Sequence, residues 1–345
     1  AVVLHEPSVL APLALLVAYE AGRALFRSAA PAVAVVLAQV ALTGLAPGHG
    51  GAYTALALPA TASRQLLVPA ALALALGAAA EPSRALFVAA GAAGLVLAAV
   101  HPTYALFLWL PFAGFIVVRA LAARREALRA AAALFALAAP GVLLLAWLTP
   151  VVRDTVSHGP AGDEVRRALA HYAGQLDVRS ETSYALAPEV FGRGGAVAIA
   201  ALLLVPFAAF AWRRRWAAYV LGGSLAVFLV TLVPWLFTPF SDLVSISQSR
   251  RVAGFLPFAF ALAGGLTVVA GRVRGLVFPL ALAAGVVFQL VRPGDFDYRL
   301  DEGGPAVVTW IAAAGALVGL VLAVLGRLRT GREQGAAAAV AAALF

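Results

Sequence analysis

Read from one end to the other, the chain alternates long apolar blocks of Ala, Leu, Val, Phe and Gly with short polar connectors. The blocks fall at 8–26, 29–46, 65–80, 85–100, 104–121, 127–149, 194–212, 216–236, 252–270, 275–291 and 305–325, and a last run begins near 335. Most approach the roughly 20 residues that a helix needs to cross a bilayer. They are apolar on every side, so none presents a face to water. Pro and Gly recur inside them, which membrane helices tolerate because neighbouring helices re-satisfy the freed backbone groups. The expected fold is an all-α, polytopic transmembrane helical bundle of about 11–12 spans. Residues 1–345 would form a single transmembrane domain.

The longest connector, 150–193, spans about 44 residues, too few for an independent catalytic domain. Within it, Asp163–Gln175 (DEVRRALAHYAGQ) has helical spacing, with Val165, Leu169 and Tyr172 on one side and acids at the start, where they suit the helix dipole. It predicts a short amphipathic helix lying on the membrane surface, in an extracytoplasmic loop of the bundle.

The connectors sort into two alternating sets. One set is short and basic: 20–28, 81–84, 119–129, 212–216, 272–274 and 327–334 hold 15 arginines against Glu20, Glu81, Glu126 and Glu333, a net charge of +11. The alternate set holds ten arginines against twelve acids. Basic loops stay on the cytoplasmic side, so the expectation is a multi-pass protein of the inner or plasma membrane with the first set inside. All five His (His5, His49, His101, His158, His171) and all seven Asp (Asp154, Asp163, Asp177, Asp242, Asp295, Asp297, Asp301) then fall outside. Polar residues avoid spans in any case, but their absence from the inner loops too points to a working outer face. Trp212 and Trp216, flanking Arg213–Arg215, read as interface anchors.

Composition agrees: 63% of residues are hydrophobic, 12% charged, and the mean hydropathy is +0.95. The isoelectric point near 10.9 would suit a nucleic-acid binder, but the loop-by-loop sorting of Arg explains it as topology, so no nucleic acid is expected. The absence of Cys excludes disulfides, thiol catalysis and thiolate metal sites. Every basic residue is Arg and there is no Asn, which points to a GC-rich genome such as an actinobacterium's. With no Met and an abrupt start, the chain is expected to be a fragment.

No P-loop, GxGxxG, HExxH or GxSxG motif is present, and Gly48-His49-Gly50-Gly51 reads as a flexible loop. The candidate chemistry therefore sits in the outer connectors. His101, followed by Pro102, either caps the preceding helix or serves as a general base or phosphate contact. Tyr104 is an interfacial anchor or a platform for a sugar ring. The stretch Thr238–Arg251 (TPFSDLVSISQSRR) is Ser-rich and ends in paired Arg on the side where Arg is disfavoured. Arg250 and Arg251 could grip a phosphate with their guanidinium forks, or snorkel to headgroups, or pair with Asp242. Arg64 is a second candidate of the same kind. Asp295, Asp297, Asp301 and Glu302 could bind a divalent cation through oxygen ligands, or form a solvated turn. No cofactor or metal ligand set is assigned.

The N-terminal third resembles the C-class (GT-C) polytopic membrane glycosyltransferases, in particular the protein-mannosyltransferase-like group. Pro7–Phe26 (PSVLAPLALLVAYEAGRALF) and Tyr53–Leu74 (YTALALPATASRQLLVPAALAL) carry the resemblance, with Tyr19, Gly22, Arg23, Leu25 and Phe26 matching a Y-x-x-G-R-x-L-F turn. It covers about 80 residues and marks a structural turn. What it implies is transfer of a sugar from a polyprenyl-phosphate donor to an acceptor on the extracytoplasmic face. The family's catalytic carboxylate lies in a first outer loop that would precede residue 1, and Glu6 does not substitute for it. For such a transfer the residues themselves offer His101 as the catalytic candidate of the chain and Arg64, Tyr104, Asp242, Arg250 and Arg251 as substrate-binding candidates. The expected partners are a lipid-linked sugar donor and membrane lipids. The alternatives are an O-antigen polymerase or ligase-like enzyme, a transporter or flippase, and a non-catalytic membrane protein. No span carries a charge near its middle, which argues against a transport path.

Overall fold

The computed structural model describes residues 2–43, 53, 55–153, 162–192, 194–269, 275–291 and 307–328. In chain order the helices are α1 (Val2–Phe26), α2 (Ala29–Thr43), α3 (Pro59–Ala80), α4 (Arg84–Val100), α5 (Pro102–Ala122), α6 (Arg124–Arg153) and α7 (Gly162–His171). A two-stranded hairpin follows, β1 (Leu176–Ser180) and β2 (Ser183–Leu186). Then come α8 (Ala196–Leu204), α9 (Arg215–Leu232), α10 (Pro234–Val244), α11 (Phe258–Gly264), α12 (Val277–Val291) and α13 (Val307–Leu328). The all-α expectation holds apart from the hairpin.

Five helical stretches among the described residues are long and apolar enough to cross a membrane: His5–Phe26, Pro59–Ala80, Pro102–Ala122, Arg124–Val152 and Arg215–Leu232. Their outer surfaces are apolar as well; Phe135 and Trp147 on α6 are 74% and 75% exposed. Such a surface suits lipid rather than water.

Local chemistry explains the helix boundaries. Proline opens α3, α5 and α10 at a position where its missing N–H costs nothing. The Ser83 hydroxyl caps α4 by accepting from the Leu86 N–H at 3.2 Å. Between helices, small residues let backbones meet. A Cβ added to Gly114 on α5 would lie 1.9 Å from the Gly222 carbonyl oxygen on α9, and one on Gly222 would lie 2.1 Å from the Gly114 oxygen. The α5–α9 contact is therefore backbone against backbone, the arrangement expected where packing rather than hydrophobic exclusion joins helices.

At one end of the bundle, an ion network ties five helix termini together. Glu126 on α6 pairs with Arg119 of α5 and, at 2.6 Å, with Arg215 at the start of α9. Arg215 also donates to the Ala24 carbonyl of α1 at 3.0 Å and to the Leu76 carbonyl of α3 at 2.8 Å. Arg119 donates to the Arg213 carbonyl as well.

Several expectations are corrected here. Trp216 is no interface anchor: it is 3% exposed, stacks on Phe26 at 5.5 Å and lies against Gly264, where a side chain would collide with its six-membered ring. The block 252–270 is not one regular span. It comprises a 3-10 segment (Arg250–Phe255), α11, and a π-helical turn (Gly265–Val269). The amphipathic helix stops at His171, and a 3-10 turn takes Ala173–Gln175. Within this helix Arg166 pairs with Asp163, and at 3.3 Å it also pairs with Glu181 in the hairpin turn.

Glu126 is only partly exposed and compensates two guanidiniums, so Glu126→Gln leaves both under-compensated. The expected loss is about 3 kcal/mol of stability, read as a lower melting temperature in lipid nanodiscs. Glu81→Gln, at an exposed site at the same end, is expected to change little.

Candidate functional site

At the opposite end of the same helices lies a cavity of about 540 Å³. Tyr104 and Arg119 mark the two ends of α5; fifteen residues of helix separate them by about 22 Å. The cavity is bounded by α1, α2, α3, α5, α9, α11 and the 3-10 segment Arg250–Phe255. Its polar wall carries Arg64, Arg250, Arg251, Gln39, Gln175 and Tyr104, and no described lining residue is a carboxylate. The rest of the wall is apolar, with Ala18, Ala21, Leu72, Leu108 and Phe258 among its residues.

Two segments bring the three arginines together. Arg64 stands in a π-helical turn, Ser63–Leu67, inside α3. It was expected in a connector ahead of a span beginning at 65. The helix instead begins at Pro59, and the π-turn shifts the angular position of the residues around Arg64. Its guanidinium reaches the Gly254 carbonyl at 3.4 Å. A Cβ on Gly254 would lie 2.6 Å from Arg64 Nη2, so the guanidinium rests where a side chain would otherwise be. The next residue, Gln65, is buried and accepts from Gln39 Nε2 of α2 at 3.0 Å.

Arg250 and Arg251 open the 3-10 segment. The Ser-rich stretch before them is not the loop that was expected: Thr238 and Asp242 lie within α10, and Ile246–Ser249 forms one more helical turn. Ser245 joins the two with φ +79° and ψ 151°, a conformation close to glycine-only, which redirects the chain toward the cavity. The serines hold this bend: Ser249 Oγ donates to Ser241 Oγ at 3.1 Å, and both residues are fully buried. Thr238 bonds both backbone groups of Tyr184 at 3.2 Å and so docks β2 on α10. The hydroxyls of this stretch are thus structural.

Arg250 donates to Gln175 Oε1 at 2.6 Å and lies 3.9 Å over the Tyr172 ring. These contacts from the connector before the hairpin, not Asp242, hold its fork in place. Arg251 is exposed and has no hydrogen-bond or ion-pair partner among the described residues. Tyr104 is buried and packs edge-on to Phe255 at 5.3 Å, so it is a wall of the cavity rather than an anchor at an interface.

His101 does not line the cavity. It sits at the junction of α4 and α5, its backbone N–H bonded to the Leu97 carbonyl at 2.8 Å. Its ring stacks on Tyr104 at 3.7 Å, and its Nδ1 shares a hydrogen with Thr103 Oγ1 at 3.0 Å. Burial, and then the positive charge of Arg251, hold its pKa below the usual imidazole value. The neutral ring is therefore favoured at neutral pH. Asp242 also stands apart from the cavity, near Tyr184; partial burial raises its carboxyl pKa. Of the six candidate residues, Arg64, Tyr104, Arg250 and Arg251 converge, while His101 and Asp242 do not.

Gln39, Gln175, Tyr172 and Gly254 are site residues that the sequence did not single out. Gln39 is the lone amide in an apolar block, which is the one signal that could have marked it. Gly48–Gly51, His49, His158, Asp154, the acidic group Asp295, Asp297, Asp301 and Glu302, and the run near 335 all lie outside the described residues. Among the described residues, no three His, Asp or Glu cluster in a way that could hold a metal ion.

Compared with family models, with curated proteins and with solved structures, the chain finds no match in any of the three.

Chemically, the site joins a cluster of three arginines to a wall of apolar side chains. It suits a ligand with a phosphate at one end and hydrocarbon at the other. Gly254→Ala would push the Arg64 guanidinium aside without removing a charge. Affinity for inorganic pyrophosphate is expected to fall about tenfold, the worth of roughly one charge-assisted hydrogen bond, in an equilibrium binding titration. His101 supplies a pH dependence. Its folded pKa lies below the unfolded one, so the unfolded chain binds the proton first. Stability is complete above about pH 6.5 and declines as pH falls below it. His101→Gln is expected to flatten that part of the melting-temperature profile.

Proposed function

We propose a membrane glycosyltransferase that takes a sugar from a polyprenyl-phosphate donor and passes it to an acceptor on the extracytoplasmic face. The observation that carries the proposal is the meeting of Arg64, Arg250 and Arg251 in the wall of a largely apolar cavity with no described carboxylate in its lining. A lipid phosphate presents two parts, an anion and a hydrocarbon chain, and the cavity matches both. Guanidiniums that neutralise the phosphate would also stabilise the charge it gains as it leaves the sugar. In this proposal the protein crosses the membrane about 11–12 times, with the arginine-rich connectors in the cytoplasm and the cavity mouth outside.

Each side chain has a part in this scheme. Arg251 has no competing ion pair, so it is the arginine most available to the phosphate. Arg250 is oriented by Gln175 and Tyr172. Tyr104 offers a hydroxyl and a ring edge at the wall. His101 acts through Tyr104, whose ring it stacks upon, and is a positioning residue. The base that takes the acceptor's proton is not among the described lining residues.

One observation favours a second reading. The connector carrying Tyr172 and Gln175 reaches the arginine cluster, as would suit a polymerase or ligase-like enzyme whose larger outer loop handles a lipid-linked glycan.

The deciding experiment is a transfer assay with the natural-length protein and polyprenyl-phosphate sugars. Arg64→Gln, Arg250→Gln and Arg251→Gln are each expected to weaken donor use at least about tenfold, mainly as a raised KM. Arg124→Gln at the far end is expected to leave it unchanged. Equal turnover in all four variants would remove the cavity from the reaction. Activity only with diphosphate-linked oligosaccharides would favour the second reading.

A further inference from the structure

A second cavity lies at the other end of the bundle, beside the Glu126 network. It has a volume of about 560 Å³, and Arg27, Ser28, Arg213, Arg214, Arg215 and Trp216 are among its walls. The lipid-phosphate proposal makes no use of it. We propose that it is a separate binding site for a phosphate group, such as the headgroup of an acidic phospholipid or a small soluble phosphate.

Four arginines line the cavity, and no described lining residue is acidic. Two of the four are already engaged: Arg215 with Glu126 and two carbonyls, and Arg213 over the Trp212 ring at 5.4 Å. Arg27 and Arg214 are exposed and have no side-chain partner among the described residues. Unlike Arg215, their side chains bond no helix end among the described residues, and like charges gathered without a counter-ion repel one another. An anion between them would remove that repulsion.

Three further features point the same way. The cavity meets the N-terminus of α9, an 18-residue helix whose first N–H groups and dipole favour negative charge. Trp216 is 3% exposed, and its indole N–H finds no acceptor among the described residues. The edge of its ring opposite that N–H is the one against Gly264, so the donor is turned away from the packed side. Finally, Arg27 ends α1 in the left-handed region at φ 56°, with its N–H bonded to the Arg23 carbonyl at 2.8 Å. Glycine takes that position without strain. An arginine there sets a guanidinium at the rim of the cavity despite the strain.

That strain makes the test clean. Arg27→Gly deletes the charge and relaxes the backbone, and Arg214→Gln deletes the second charge at an exposed site. The double variant is compared with the unaltered chain and with a control, Arg124→Gln with Arg125→Gln, which removes the same charge from the same end outside the cavity. Binding is read two ways: by native mass spectrometry with phosphatidylglycerol against phosphatidylcholine, and by titration of the detergent-solubilised chain with inorganic phosphate. The cavity variant is expected to bind at least one probe about tenfold or more weakly, each basic group near a phosphate surface contributing about a factor of five. The control is expected to bind as the unaltered chain does. A loss confined to phosphatidylglycerol identifies a lipid headgroup, and a loss confined to inorganic phosphate identifies a soluble ligand. Unchanged binding of both probes by the cavity variant, or an equal loss in the control, overturns the proposal. If the double variant melts lower in neutral lipid, Arg214→Gln alone is scored against Arg124→Gln on the same criteria.

Discussion

A single carboxylate organises one end of this bundle. Glu126 holds Arg119 and Arg215, and through Arg215 it reaches the last turns of α1 and α3. In a low-dielectric setting an unpaired charge costs several kcal/mol, so these groups tolerate little separation. The Ala24 carbonyl that Arg215 caps is in the last turn of α1, where orphan acceptors favour a cation, and the Leu76 carbonyl lies near the end of α3, where the negative end of the dipole does the same. Five helix termini are thereby brought to one place, and the backbone contact between Gly114 and Gly222 keeps α5 and α9 close along their length.

The opposite end is built otherwise. There the chain uses hydroxyls, amides and aromatic edges: Ser241 with Ser249, Gln39 with Gln65, Thr238 with Tyr184, and Tyr104 with Phe255. These groups bind the walls without supplying negative charge, and no described residue lining the cavity with the arginines is acidic. The contrast between Arg215, held by Glu126, and Arg251, which has no ion-pair partner among the described residues, separates a structural arginine from one available to a ligand.

Much of the bundle was legible in the pattern of residues. Blocks that are apolar all round admit only buried or lipid-facing helices, and the blocks expected between Ala85 and Thr149 stand as α4, α5 and α6 with boundaries shifted by a few residues. The hairpin was not legible. Its turn is Glu181-Thr182, which lacks the Asn-Gly or Gly signals of a tight turn, and β2 is buried on both faces, so it shows no alternation. Tertiary contacts with α10 make it a strand. The π-turn at Ser63–Leu67 and the bend at Ser245 were equally invisible, because each is a local backbone distortion held by distant partners.

By itself the sequence determined what each block is: apolar, helical, and punctuated by prolines and charges, since these depend on local periodicity and composition. It also nominated Arg64, Tyr104, Arg250 and Arg251, because an arginine or an aromatic at a block edge stands out. Only the tertiary structure decided that these four face one cavity while His101 and Asp242 stand aside, and that Trp216 and Arg215 belong to the interior. The reason is geometric. Which residues meet across a bundle depends on helix rotation and on backbone distortions of one residue, and a change of about 100° per residue carries a side chain from the cavity to the lipid.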